Sequence, residues 1–132
     1  IIVVVCDNSG FQCIDNLQNS QGIVHFANEW KARDPKTGLL TGEQVPVDFA
    51  KNAESWGALG LRANNVEDFR KAVRRALRAK GPVVIHARVS PKSMTQGYES
   101  WWRVGTAEVS TNPDVVRAAQ EMKAELAKAR KF

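Results

Sequence analysis

The residues of this chain whose types and spacing suit chemistry form a short polar turn, residues 7–10 (the DNSG turn), directly after an apolar run. Asn8 offers a neutral side-chain oxygen, and Gly10 offers a backbone carbonyl that no Cβ obstructs. Oxygen ligands of this kind suit a hard cation such as Mg²⁺. Asn, Ser and Gly are also common in turns that bind nothing. The residue types therefore indicate a magnesium site only if the surrounding elements support one.

The apolar run before the turn predicts a β-strand. Residues 1–6 (IIVVVC) are mostly β-branched and uncharged, which is typical of a parallel strand buried on both faces. In an open parallel sheet, ligands bind beyond the carboxyl ends of the strands. After the turn, Phe11, Ile14 and Leu17 have helical spacing within residues 11–19. We therefore expect the DNSG turn at a helix N-terminus, where free N–H groups and the helix dipole favour phosphate.

The rest of the chain alternates between helix and strand patterns, and this alternation specifies parallel βαβ units. We therefore predict an α/β fold, a parallel sheet with flanking helices. The next predicted helix is capped by Asp48 and has Phe49, Ala53 and Trp56 on its apolar face. It is followed by a strand at Ala58–Ala63, a helix opened by Asn64 and Glu67, and a strand at Pro82–Val89. The last helix has Pro113 at its first position, and its apolar stripe consists of Val115, Ala119, Met122, Leu126 and Ala129.

The helix opened by Asn64 has an apolar face and a basic face. The residues expected to point inward are Val66, Phe69, Val73, Ala76 and Leu77, and those expected outward are Arg70, Lys71, Arg74, Arg75 and Arg78. Basic surfaces suit nucleic acid, and the net charge of the chain is +5. Acidic residues stand beside these cations, however, and no aromatic residues alternate with them. We interpret the basic face as a solvated surface and expect no nucleic-acid partner.

Residues 23–46 form a long segment without a sustained period, and residues 34–38 (DPKTG) have the signature of a β-turn. Loops of this length are usually functional or disordered. The aromatic and ionic content of this loop favours an ordered substrate or interface loop. His25 in the loop and His86 in a predicted strand are the two side chains suited to proton transfer near neutral pH. We expect His86 to be a core histidine, whereas His25 stays open between an ordinary loop residue and a substrate contact.

The size and composition of the chain suit one domain with a single core, because it has 132 residues, 43% of them apolar and 25% charged. Its apolar runs are far shorter than the roughly 20 residues of a membrane span, so we expect no membrane partner. Cys6 and Cys13 lack metal-ligand spacing and are too few for a disulfide scaffold. We therefore expect reduced thiols and a cytoplasmic location. Because the chain begins within an apolar strand pattern, we also expect it to be a truncated piece of a longer protein.

The chain resembles the second half of the cofactor-binding domain of thiamine-diphosphate enzymes. The segments that carry the resemblance are the DNSG turn after a strand, followed by VDFAKNAESWGA, LRANNVEDFRKAVRRAL and KGPVVIHARV. The long motif of that family begins with Gly-Asp-Gly and closes with Asn-Asn or Asp-Asn after a strand, and Asp7-Asn8 is similar to the closing half. We expect residues 1–89 to form the second half of the cofactor-binding domain. Residues 90–132 would form an aromatic segment and a helix that pack on this domain or on a partner.

The resemblance implies a role for two residues of the DNSG turn. Asn8 would give its side-chain oxygen, and Gly10 its backbone carbonyl, to the Mg²⁺ that clamps the diphosphate of the cofactor. The aspartate that completes this set belongs to the Gly-Asp-Gly segment, and the catalytic glutamate belongs to another domain, normally of a second subunit. The implied cofactors are thus thiamine diphosphate and Mg²⁺, with an incomplete site in this chain. A homo-oligomer is implied for the whole protein, and the catalytic acid or base is unknown.

Two further segments, RDPKTGLLTG and ESWWRVGTAEVS, are most similar to the family members that open a cyclic 1,2-diketone ring in myo-inositol breakdown. This likeness implies a hydrolase that cleaves a C–C bond of a small molecule. An acetolactate-synthase-like enzyme of the same family remains an alternative, and the loop at residues 23–46 should separate the two because it would lie over the substrate. A non-catalytic α/β module that acts only through association is a second alternative. Trp101 and Trp102 are expected to anchor the C-terminal segment.

Overall fold

The computed structural model describes residues 1–23, 26–91 and 105–129. Its elements in chain order are β1 (Ile2–Asp7), α1 (Gln12–Ser20), α2 (Phe49–Ser55), β2 (Leu59–Ala63), α3 (Val66–Ala76), β3 (Val83–Arg88) and α4 (Pro113–Lys128). Every helix and strand predicted above is present. Their ends are shifted by a residue or two, except that α3, whose sequence pattern extends to Gly81-Pro82, ends at Ala76. None of the helices within these ranges has the length and apolarity that crossing a bilayer requires.

The three strands form one parallel sheet in the order β1-β3-β2, with β3 in the middle. In the register, Asp7 lies opposite Arg88, and Ala63 lies opposite Ala87. The carboxyl ends of all three strands therefore meet at one edge of the sheet. The hydrophobic core lies around β3 and consists of Leu61, Ala63, Ala72, Ala76, Val83, Ile85 and Ala87. These observations confirm the predicted α/β architecture and place the DNSG turn at the carboxyl edge.

The expectation that β1 is buried on both faces is wrong. Ile2, Val3 and Val4 are between 39% and 43% exposed, and Asp7 is the buried residue of the strand. β1 pairs with β3 alone, so it is an edge strand among the described residues. An edge strand has a neighbour on one side only, and the apolar pattern of a central strand is then left partly uncovered.

The chain divides into two compact units. The sheet unit comprises Ile1–Gly10 with Glu43–Lys92 and holds the three strands, α2 and α3. The loop unit comprises Phe11–Gly42 with Ser93–Phe132 and holds α1, α4 and the loop that contains the DPKTG turn. Each unit is described by itself below.

In the sheet unit, the most deeply buried helix residues are alanines, while the predicted Phe49, Phe69 and Val73 lie partly buried against the sheet. Ala50 and Ala53 are the buried residues of α2, whereas Trp56 is 83% exposed. A side chain at Gly60 would collide with the carbonyl oxygen of Ala50, so α2 passes very close to β2. This close approach leaves room only for small side chains between α2 and β2. Trp56 comes after the last turn of the helix and lies outside this contact.

The third helix, α3, agrees with its prediction in part. Ala76 is buried as predicted, and Phe69 and Val73 pack partly buried against the core. Val66 and Leu77, which were expected to point inward, are exposed, and Ala72 is buried instead. The N-cap of α3 is Asn65, one residue later than predicted, and the Asn65 side chain accepts a hydrogen bond from the backbone N–H of Asp68. A capping motif is therefore present, but it begins at the second of two consecutive asparagines, which offer the same cap chemistry.

In the loop unit, the predicted face of α1 is on the wrong side. Phe11 and Ile14 are exposed, whereas Gln12 and Asp15 are buried. The Asp15 side chain accepts a hydrogen bond from Asn19 one helical turn later. Helical spacing correctly predicted a helix, but apolar character alone did not identify the buried face.

The last helix begins as predicted, with Pro113 in its first turn and with the Asn112 side chain capping the N–H of Asp114. Its start packs closely on Gly22, where an added Cβ would lie 2.5 Å from the backbone carbonyl carbon of Asp114. Val115 is buried, and Leu126 is exposed. The predicted apolar stripe is therefore covered at its N-terminal end and open towards its C-terminal end.

Candidate functional site

The DNSG turn is held in shape by the residue that ends β1. The Oδ1 atom of Asp7 accepts a hydrogen bond from the backbone N–H of Ser9 at 2.9 Å, which closes a tight side-chain-to-backbone turn. Ser9 has a φ of 66°, in the left-handed region that residues other than glycine rarely adopt. From the following loop, the Nε2 of Gln44 donates to the Ser9 carbonyl at 3.1 Å. The backbone of the turn is thus fixed from both sides.

The two predicted ligand residues, Asn8 and Gly10, lie together on this turn, and both are half-buried. The Asn8 side chain makes no hydrogen bond within the described part of the chain, so its amide oxygen is free to meet a cation. Three or more His, Cys, Asp or Glu side chains do not come together as a metal site anywhere in the described ranges. A cation at the turn would therefore be bound by an amide and a carbonyl oxygen, and these are ligands that suit Mg²⁺.

His86, predicted to be a satisfied core histidine, is confirmed as one. It lies on the central strand β3, is 7% exposed, and its Nε2 lies 2.8 Å from Oδ2 of Asp7, which is 8% exposed. In the tautomer that carries its proton on Nε2, the imidazole donates to Oδ2 of Asp7, because an ionised carboxylate only accepts hydrogen bonds. Sequence reasoning missed this partner. The two residues are 79 positions apart, and only the pairing of β1 with β3 brings them together.

A second charged group borders His86 at the same edge of the sheet. Asp48 caps α2 by accepting from the N–H of Lys51 at 2.9 Å, as predicted, and it also binds Arg62 of β2 through Nη2 at 2.8 Å and Nε at 3.1 Å. The hydrogen bond from Arg62, followed by that from Lys51, lowers the pKa of Asp48 below its usual value of 3.8. The same carboxylate raises the pKa of Arg62.

These groups form a continuous row along the carboxyl edge of the sheet. The Nδ1 of His86 lies 4.0 Å from Oδ1 of Asp48, and the ring of Phe49 meets the imidazole edge-on with centroids 5.3 Å apart. In order, the row contains Arg62, Asp48, His86 and Asp7, which is the first residue of the DNSG turn. The turn and the Asp48 cap were predictable from sequence, but the row that connects them was not.

The loop at residues 26–42 contains the predicted β-turn. Asp34 accepts from the N–H groups of Lys36 at 2.7 Å and Thr37 at 3.0 Å, and these bonds, that of Thr37 first, lower the pKa of Asp34. Phe11 and Trp30 pack edge-on with centroids 6.2 Å apart. His25, Trp101 and Trp102 lie outside the described residues, so the substrate role of the loop stays a prediction.

Residues 1–87 match the family described as "Thiamine pyrophosphate enzyme, C-terminal TPP binding domain". Three relatives, each named 3D-(3,5/4)-trihydroxycyclohexane-1,2-dione hydrolase, come from Clostridium tetani, Clostridium botulinum and Geobacillus thermodenitrificans. They are 42%, 45% and 39% identical to the chain over 132, 130 and 132 residues. These alignments cover 100%, 98% and 100% of this chain but 20%, 20% and 21% of the relatives.

The chain thus spans about a fifth of the length of the curated relatives that it matches. No solved structure matches it. The family match covers β1, the DNSG turn, β2 and all but the last residue of β3. The chain therefore belongs to the thiamine pyrophosphate enzymes and forms part of their C-terminal TPP-binding domain.

Proposed function

We propose that the whole protein containing this chain is a thiamine-diphosphate- and Mg²⁺-dependent hydrolase that opens a cyclic 1,2-diketone ring by C–C cleavage in myo-inositol degradation. The observation that carries this proposal is the identity of 39% to 45%, over nearly every residue of the chain, with relatives named as hydrolases of such a dione. The likeness extends beyond the cofactor-binding residues to the loop and the last helix, which supports a shared substrate as well as a shared cofactor.

In this proposal the DNSG turn supplies part of the metal site. The amide oxygen of Asn8, which has no hydrogen-bond partner within the described residues, and the carbonyl of Gly10 would hold the Mg²⁺ that neutralises the diphosphate. The bound cofactor would supply the electron sink for C–C cleavage. The role of the chain is to present two oxygen atoms at a fixed spacing, and the bonds of Asp7 and Gln44 to Ser9 keep that spacing.

The organisation of the whole protein is part of the proposal. Residues 1–89 form the second half of the cofactor-binding domain, and residues 90–132 pack on it or on a partner. The enzyme works in the cytoplasm as a homo-oligomer, with Cys6 and Cys13 as reduced thiols; both cysteines are free and exposed. Because the chain carries only part of the metal site, we expect the 132 residues alone to be inactive and to show no calorimetric signal with thiamine diphosphate and Mg²⁺.

The test is Asn8→Ala in the full-length protein, with Asn64→Ala as the matched control. Asn64 is exposed and undergoes the same chemical change away from the turn. We expect Asn8→Ala to weaken Mg²⁺ and thiamine diphosphate together, by about 10- to 100-fold, a range typical of losing one group from a metal site. Titration calorimetry measures both affinities, and conversion of the cyclic dione to an open-chain acid measures the activity.

Two results would contradict the proposal. If Asn8→Ala bound both ligands as tightly as the unaltered protein and Asn64→Ala, Asn8 would not belong to the metal site. If the full-length protein turned over 2-oxo acids such as pyruvate and left the cyclic dione untouched, the acetolactate-synthase-like alternative would replace the hydrolase.

A further inference from the structure

We propose that His86 is a positioning residue for the DNSG turn: by fixing the carboxylate of Asp7, it sets the backbone shape on which Asn8 and Gly10 present their oxygen atoms. This inference rests on the proposed function, since it concerns the residues that would hold Mg²⁺. Among the described hydrogen bonds, His86 contacts Asp7 of the turn but not residues 8–10, so it acts on Asn8 and Gly10 through Asp7.

The two oxygen atoms of the Asp7 carboxylate bind different partners. Oδ1 accepts from the backbone N–H of Ser9 at 2.9 Å, and Oδ2 accepts from Nε2 of His86 at 2.8 Å. A carboxylate is planar and rigid, so a bond that fixes one oxygen also fixes the direction of the other. The imidazole therefore holds Oδ1 in the position that closes the turn.

The turn needs such a restraint because of its backbone. Ser9 has a φ of 66°, a left-handed conformation that is unfavourable for a residue with a Cβ. Without a bond to hold it, the Ser9 peptide would relax to a more common conformation and would move both neighbours, Asn8 and Gly10. A conformation of this kind persists only where its surroundings enforce it.

His86 is itself firmly held. It lies in the middle of the central strand, and the ring of Phe49 packs edge-on against it. Its other nitrogen faces Asp48 at 4.0 Å, and Arg62 binds that carboxylate. Arg62 holds Asp48, and the imidazole holds Asp7, through hydrogen bonds, as outer groups around a metal site usually do.

The aliphatic cluster around β3 consists of residues of β2, α3 and β3, and the buried pair of His86 and Asp7 is not part of it. Because His86 is itself buried, replacing it also alters packing. The comparison of His86→Gln with His86→Asn separates the loss of the hydrogen-bond donor from this packing effect.

The experiment compares His86→Leu, His86→Gln and His86→Asn in the full-length protein. Glutamine can place its side-chain N–H near the position of Nε2, whereas asparagine reaches only as far as Nδ1 and leucine offers no donor. We expect His86→Leu and His86→Asn to weaken Mg²⁺ and thiamine diphosphate about ten-fold in calorimetry, and His86→Gln to restore most of the loss. At saturating cofactor, kcat should stay within about two-fold, since the residue positions a binding group.

A second readout does not depend on the cofactor. In the cofactor-free protein, hydrogen exchange of the peptide spanning residues 4–11 should be faster in His86→Leu than in the unaltered protein, because the Ser9 N–H loses its fixed acceptor. Asn8→Ala should leave this exchange unchanged. Phe49→Leu, which removes the ring contact but keeps the imidazole, should weaken the cofactor less than His86→Leu does.

The outcomes separate the two proposals. If Asn8→Ala weakens the cofactor while His86→Leu changes neither the exchange nor the affinity, the positioning role is wrong and the proposed function stands. If Asn8→Ala has no effect on affinity, the proposed metal site is wrong, whatever His86→Leu does to the exchange. If His86→Leu does not fold, equal affinities of His86→Gln and His86→Asn would overturn the positioning role.

Discussion

In the sheet unit the least exposed side chains are Val83, Ile85 and their neighbouring alanines, whereas in the loop unit they include Asp15, Gln21 and Gln12. The sheet unit buries apolar surface, which is the main source of folding free energy. The loop unit buries polar groups, and both amide atoms of Gln12 lack a hydrogen-bond partner within the described residues. Buried amides without partners are costly. The sheet unit should therefore be the more stable of the two in this chain, and it is the unit that carries the DNSG turn.

The largest expected effect tests this contrast directly. Ile85 is fully buried at the centre of the sheet core, and Ile14 on α1 is 49% exposed. We expect Ile85→Ala to lower the free energy of unfolding by about 2–5 kcal/mol. The same change at Ile14 should lower it by less than about 1 kcal/mol. Urea denaturation of both variants measures the difference, and similar losses at the two sites would show that the loop unit has an apolar core of its own.

Much of the sheet unit could be predicted from sequence, because its pattern is dictated by local chemistry. Apolar runs and a capping aspartate predict where strands and helices begin. The register of β1 against β3 is a long-range property, so the bond between Asp7 and His86 could not be read from the chain. The close approach of α2 at Gly60 is likewise a tertiary feature, and it decides that alanines instead of Trp56 face the sheet.

The candidate site divides in the same way. Asn8 and Gly10 were predicted from residue types and from the family resemblance, and the structure places them on one turn. The left-handed Ser9 and the row through Asp48 and His86 emerge only in three dimensions. In the loop unit, helical spacing could not tell that Asp15 would be buried, because the choice of face depends on partners far away in sequence.

Gly22 and Gly57, one in each unit, have a left-handed backbone, and replacing these glycines should have effects of intermediate size on the free energy of unfolding. Gly22 in the loop unit has a φ of 75°, and a Cβ there would lie 2.5 Å from the backbone of Asp114. Gly57 in the sheet unit has a φ of 81°, and a Cβ there would meet nothing within 4 Å. We expect Gly22→Ala to lower the free energy of unfolding by about 2–4 kcal/mol, through strain and a collision. Gly57→Ala should lower it by only about 1 kcal/mol, through backbone strain alone.

Thermal unfolding of the two glycine variants provides the measurement. Since both residues adopt left-handed backbone, Gly57→Ala is the control for conformational strain, and the difference between the variants isolates the packing of α4 on Gly22. Equal losses would mean that the start of α4 does not press on this glycine in solution.

The smallest expected effect concerns two carboxylates whose pKa values are lowered for different reasons. In the sheet unit, Arg62 is the main cause for Asp48; in the loop unit, the backbone N–H groups of Thr37 and Lys36 are the cause for Asp34. Each group has a folded pKa below its usual value of 3.8. Each ionised carboxylate therefore stabilises the folded chain at pH values above its usual pKa. This contribution is lost as the pH falls through the pKa that the group has in the folded state.

Salt distinguishes the two causes. Ions screen the attraction between exposed side-chain charges, as in the pair of Arg62 with Asp48, but they change a short backbone hydrogen bond much less. In a carboxyl titration followed by NMR, raising the salt concentration should move the pKa of Asp48 back towards 3.8 more than that of Asp34. Arg62→Gln should produce the same movement at low salt and leave Asp34 unchanged. If salt shifted both carboxylates equally, the lowered pKa of Asp48 would arise from its helix cap, and the row at the sheet edge would begin at Asp48.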